Sequence, residues 1–149
     1  MLKNMEEMKK EASVVLQRLI KKHDGKKALI VGLCGDLGVG KTAFVKACAS
    51  KLGVTEIVTS PTFVIEKIYK LSQKPYLFLI HIDAYRLNSC EEMEHIGWNA
   101  IQKDPQNIVF IEWADRVDAC MPETTEWITF GHVNESTRTI RHHGNQRKG

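Results

Sequence analysis

The sequence predicts a small α/β sandwich whose sheet mixes some antiparallel strands with buried parallel ones. Three observations carry that prediction. Residues 28–33 form a short, nearly continuous apolar run, which suits a strand covered on both faces. A glycine-rich turn and an alanine-rich helical stretch follow it directly. Further strand-like segments then share the chain with short helices, the order expected when helices pack against a sheet.

The elements follow in order. Residues 5–22 predict an amphipathic helix: Val15, Leu16, Leu19 and Ile20 recur at helical spacing, and lysines and glutamates fill the other face. His23-Asp24-Gly25 ends it. Residues 28–33 are the first strand, and residues 41–52 the next helix, closed by Gly53. Residues 62–71 alternate as a strand, Ser72-Gln73-Lys74-Pro75 turns, and residues 76–82 return, so the two strands form a hairpin. Residues 91–96 and 98–102 are short helices separated by Gly97. Residues 108–111 are a second buried strand after the turn Asp104-Pro105-Gln106-Asn107. Residues 127–133 and 138–142 alternate and pair through Asn134-Glu135-Ser136, and residues 144–149 are a frayed tail.

The chain has 149 residues, 43% hydrophobic and 26% charged, which fits one globular domain and excludes a disordered, collagenous or coiled-coil chain. No apolar run approaches the roughly 20 residues that span a bilayer. The first residues lack the apolar core of an export signal, so a cytoplasmic protein is expected. Cys34, Cys48, Cys90 and Cys120 form no CxxC pair. That disfavours zinc and predicts reduced thiols in or near the core. The net charge of +3 is carried by basic ends, +4 over residues 1–27 and +3 over residues 132–149, which suit solvated termini better than a nucleic-acid patch.

Gly35-Asp36-Leu37-Gly38-Val39-Gly40-Lys41-Thr42 fits G-x-x-x-x-G-K-[ST] between a strand and a helix. The glycines let successive backbone N–H groups turn toward phosphate oxygens, and the helix start adds free donors. Lys41 would bridge β- and γ-phosphates, and the Thr42 hydroxyl would ligate Mg²⁺. Two acids end apolar runs, Glu112 after residues 108–111 and Asp83 after residues 77–82. Either can serve as a metal ligand or orient the attacking water, since ligands gather at the carboxyl ends of strands in such sheets. Thr62, 20 residues after Thr42, stands at a spacing that allows it to cover the γ-phosphate. No N-K-x-D motif is present, which favours ATP over GTP. His81 and Asp83 share a strand face, where His81 either joins a metal site or bonds locally. Trp113 either packs or touches nucleotide or partner. His142-His143 suit a solvated tail.

Four separated motifs together resemble the bacterial TsaE (YjeE) family, the P-loop ATPase of tRNA threonylcarbamoyladenosine biosynthesis. They are the glycine-rich turn at 35–42, Ser60-Pro61-Thr62-Phe63, His81-Ile82-Asp83-Ala84-Tyr85-Arg86-Leu87, and Ile111-Glu112-Trp113. The acidic, glycine-ended segment at 91–97 adds to the match. The resemblance implies a P-loop NTPase-like three-layer sandwich around a mostly parallel sheet. It implies ATP held by Gly35, Asp36, Gly38, Val39, Gly40, Lys41, Thr42 and Ala43, with Arg138 reaching it from a late strand, and Mg²⁺ on Thr42 and Glu112. Lys41, Asp83 and Thr62 are implied as the catalytic set, the last two as switch residues. Members often carry a threonine in the first helix near the nucleotide; Ala12 or Ser13 stands there in this chain, so no contact is assigned. The implied partners are TsaD and TsaB, with tRNA reached through them. A small-molecule P-loop kinase and a nucleotide-gated binding module are the rival readings.

Overall fold

The computed structural model describes residues 5–35, 40–56, 58, 65–72, 74–132 and 138–145. The amphipathic stretch at the start becomes α1 (Met5–Lys22), with Glu6 and Glu7 in its first turn and Lys21 and Lys22 in its last, each complementing the helix dipole. Met8, Ala12, Val15, Leu16 and Leu19 form its buried stripe. The apolar run becomes β1 (Leu29–Cys34), and the helix after the glycine-rich turn is α2 (Lys41–Lys51). The hairpin is β2 (Glu66–Lys70) with β3 (Phe78–Asp83), paired antiparallel. Two short helices follow, α3 (Cys90–His95) and α4 (Trp98–Lys103), then β4 (Asn107–Glu112). A 3-10 segment (Ala114–Cys120), which the sequence pattern did not announce, leads to β5 (Glu126–His132) and its antiparallel partner β6 (Arg138–Gly144).

The sheet order is β2-β3-β4-β1-β5-β6. β3, β4, β1 and β5 run parallel, and the two edge strands run against them. The mostly parallel sandwich with antiparallel strands is therefore the observed fold. α1 and α2 cover one face, over Leu29, Val31, Leu33, Leu79, Ile108, Phe110 and Ile128. α3, α4 and the 3-10 segment cover the other, over Ile30, Ile80, Ile82, Val109 and Ile111. Alternate residues of β1, β3 and β4 thus serve opposite cores, which is why these strands read as unbroken apolar runs. No described helix is long and apolar enough to cross a membrane.

Three expectations need correction. Cys90 and Cys120 are joined in a disulfide rather than held as thiols. Packing of the first residue of α3 against the last of the 3-10 segment brings their Cα atoms to 5.5 Å, inside the bridging range, across 30 residues of sequence. Cys48 is buried, and burial pushes its thiol pKa up; Cys34 lies half-buried. His142 and His143 are not a solvated tail. They belong to β6, where the His142 ring donates to the buried Glu126 carboxylate at 3.0 Å and the His143 ring bonds Thr129 Oγ1 at 2.8 Å. Glu126 also accepts from Lys22 Nζ at 3.1 Å, which ties the end of α1 to the start of β5. β6 likewise takes in Gly144, the first residue of the expected tail.

Gly32 on β1 marks the tightest approach in the second core. A Cβ there would meet Trp127 Cε3 at 2.9 Å and Ala114 Cβ at 3.1 Å. Trp127 lies beside it in register, and Ala114 opens the segment after β4. Gly32→Ala should cost about 1–3 kcal/mol through overpacking, read as a lower urea midpoint at unchanged slope. A midpoint equal to that of the parent would show that the Trp127 ring has room to move.

Candidate nucleotide site at the carboxyl ends of the parallel strands

The site lies where β1, β3 and β4 end. β1 runs out at Cys34, and Gly35 follows with φ 137°. Gly40 precedes α2 with φ 102°, a left-handed conformation that favours glycine. Phe44 N–H donates to Gly40 O at 2.9 Å, which starts the helix. Among the described residues no side chain caps this end, and its first turn holds no acid, an arrangement suited to receiving an anion at its leading N–H groups. Asp36, Leu37, Gly38 and Val39 lie outside the described residues, as does the Ser60-Pro61-Thr62-Phe63 motif with Thr62.

Lys41 is buried. Its Nζ donates to Gly35 O at 2.5 Å and stands 4.0 Å from the centre of the Trp113 ring. Thr42 follows on α2, and its hydroxyl lies 2.9 Å from both carboxylate oxygens of Glu112, the last residue of β4. The His81 ring on β3 donates from Nε2 to Glu112 Oε2 at 2.6 Å. Histidine 81 therefore bonds locally. Asp83 ends β3 and is the register partner of Glu112 across the parallel pair. The two acids thus project at one level on the α2 face, set by the shared strand direction. Ala43 packs into the first core behind them. Arg138 opens β6 opposite His132, at the same pole of the sheet as the glycine-rich turn; its side chain lies outside the described residues.

Asp83 is mostly buried, and burial holds its carboxyl above the usual carboxylate range. The Tyr85 N–H, which donates to Asp83 Oδ1 at 2.9 Å, pulls the other way, the Glu112 charge adds to the rise, and His81 and Lys41 oppose it.

Sequence reasoning missed a stack of rings and cations beside the site. Trp113 is the one non-glycine residue with positive φ among those described, at 58°. That conformation turns its ring so that Lys41 covers it, and Tyr85 packs at 5.0 Å between centroids. Arg116 lies 5.3 Å from the Tyr85 ring. No glycine or asparagine at position 113 signals the left-handed turn, so nothing local announces it.

The donor set suits Mg²⁺. The Thr42 hydroxyl and the Glu112 carboxylate are hard oxygen ligands already in contact, and Mg²⁺ is commonly held by one or two carboxylates plus phosphates and water. Among the described residues no group of three or more His, Cys, Asp or Glu is arranged to hold a metal unaided.

The family model described as threonylcarbamoyl adenosine biosynthesis protein TsaE matches residues 2–140 of this chain. The chain belongs to the TsaE family. The match takes in the glycine-rich turn, Asp83, Glu112 and Arg138. The tRNA threonylcarbamoyladenosine biosynthesis protein TsaE of Bacillus subtilis is 36% identical over 74% of this chain and 66% of its own length. That of Treponema pallidum is 38% identical over 74% of this chain and 78% of its own length. The crystal structure of Bacillus subtilis YdiB superposes with a TM-score of 0.64 at 29% identity, covering 92% of this chain and 78% of that one. The chain thus spans just under two thirds of the Bacillus TsaE and more of the Treponema one.

The raised carboxyl of Asp83 has a thermodynamic signature. The folded chain binds this proton more tightly than the unfolded chain does. Stability from the group is therefore full below the ordinary carboxylate pKa and is lost as pH rises through the raised value. Asp83→Asn should raise Tm at neutral pH, and the gain should disappear below about pH 4. An equal Tm for the two chains at both pH values would contradict the burial argument.

Proposed function

We propose that this chain binds ATP with Mg²⁺ at the glycine-rich turn and hydrolyses it, acting in the cytoplasm with TsaB and TsaD in the making of threonylcarbamoyladenosine in tRNA. The pathway comes from the name the relatives share. The nucleotide reading is supported above all by one observation, the contact of the Thr42 hydroxyl with the Glu112 carboxylate beside the glycine-led start of α2.

The open N–H groups of α2 would take phosphate oxygens with their dipole behind them. Lys41 would exchange Gly35 O and the Trp113 face for the stronger pull of β- and γ-phosphates, a short swing because its stem is already held at the turn. Thr42 and Glu112 would hold Mg²⁺, which supplies charge neutralisation at the phosphates when bound. Asp83, one strand over, would orient the attacking water and accept its proton. A carboxylate raised by burial is a better base than an ordinary one. Arg138 would add charge from β6, and Thr62 would close over the γ-phosphate. tRNA would be reached through the partner proteins.

A small-molecule kinase would need an acceptor pocket at this end of the sheet. Among the described residues, a cavity of about 480 Å³ beside Leu19, Ala28, Leu29 and Glu126 lies at the opposite pole, where β1 and β5 begin, and rapid phosphoryl transfer to a small-molecule acceptor would favour the kinase reading.

Steady-state phosphate release should be slow for the chain alone, because charge compensation and water orientation at the γ-phosphate depend on residues that a partner must help to place. It should rise at least about tenfold when TsaB and TsaD are added, since a misplacement of about 1 Å costs on the order of 100-fold. Lys41→Ala should abolish the stimulated rate. A fast rate that the pair leaves unchanged contradicts the proposal. ATP binding without stimulated release supports the nucleotide-gated module instead.

A further inference from the structure

We propose that His81 is a positioning residue for the metal: its ring, fixed in the sheet, holds the Glu112 carboxylate in the orientation that receives Mg²⁺. This rests on the nucleotide reading of the same site.

Four observations support it. His81 is fully buried in β3, beside β4 and on the same sheet face as Glu112. Its Nε2 lies 2.6 Å from Glu112 Oε2, the shorter of the contacts that carboxylate makes with Thr42 and His81. The Thr42 hydroxyl reaches both carboxylate oxygens, whereas the ring reaches Oε2, so Oε1 is left facing α2 with the hydroxyl alone. The fourth observation concerns the other side of the ring. Nδ1 is buried and has no hydrogen-bond partner among the described residues. An orphaned buried nitrogen costs stability, and an apolar side chain would fill the same slot without it. Packing alone therefore gives no reason for a histidine here. The bond to Glu112 does.

The two supports of Glu112 differ in kind. Thr42 belongs to the helix that would meet the nucleotide, and its hydroxyl is itself a candidate metal ligand. His81 belongs to the strand hydrogen-bonded directly to β4, with His81 opposite Phe110 two residues before Glu112. A free glutamate must give up rotamer freedom to bind an ion. One already fixed by a neighbour in the sheet does not. Residues that orient metal ligands in this way typically change metal affinity by about 10- to 100-fold when lost.

The test compares two amides of different reach. His81→Gln places its side-chain nitrogen near the position of Nε2, and His81→Asn stops near Nδ1. ATP affinity is measured by calorimetry in EDTA and across a Mg²⁺ series. With Asn, the Mg²⁺ concentration that half-maximally tightens ATP binding should rise about tenfold or more, while affinity in EDTA stays within about twofold of the parent. With Gln it should remain within about threefold of the parent. An Asn variant with the parent's Mg²⁺ dependence, or equal shifts in both variants, overturns the inference while leaving the nucleotide site standing. So does a loss of affinity in EDTA as large as the Mg²⁺ shift, which would mark His81 as a folding residue. A parent chain whose ATP binding ignores Mg²⁺ overturns the metal site and this inference with it, and a parent chain that does not bind ATP at all overturns the nucleotide reading.

Discussion

Glu112 is the residue on which the site depends. Its carboxylate is buried at the end of β4, where an ionised group needs partners. It finds the Thr42 hydroxyl from α2 and the His81 ring from β3. Those bonds join three elements that approach one another only in the folded sheet. They also hold a hard oxygen pair beneath the open end of a helix. The parallel arrangement of β1, β3 and β4 makes this possible, because strands that share a direction bring the residues at their carboxyl ends to one level.

The surroundings of Glu112 constrain it from the chain as well. Trp113, the next residue, takes a left-handed conformation, which turns its ring toward Lys41 and Tyr85. Ala114 then packs against the gap left by Gly32. Farther along, the Cys90–Cys120 bridge joins the end of the same segment to the start of α3. The stretch after β4 is thereby fixed at its start by packing and at its end by a covalent bond. The stretch that follows Asp83 carries Tyr85, whose ring packs on Trp113 at the start of that segment.

Much of this was legible in the sequence. The periodicity of residues 5–22 matches α1, and the apolar run before the glycine-rich turn matches β1, because local pattern alone sets both. An acid directly after an apolar run located Asp83 and Glu112 at strand ends. The unforeseen features are those set by contacts between distant segments. The bond from His81 to Glu112 spans 31 residues and depends on β3 and β4 being neighbours in register. The disulfide depends on two short segments meeting across the second core, and cysteine spacing gives no hint of it. The role of Gly32 depends on the tryptophan that β5 places beside it. Trp113 has no residue-type signal for its backbone conformation.

The central claim is that Thr42 and Glu112 act as one metal-binding pair. A double-mutant cycle on Thr42→Val and Glu112→Gln, read as the tightening of ATP binding by Mg²⁺, tests it most directly. The account predicts strong non-additivity, with the double variant losing little more Mg²⁺-dependent tightening than either single one. Losses that simply add would show two residues acting independently, and would contradict it.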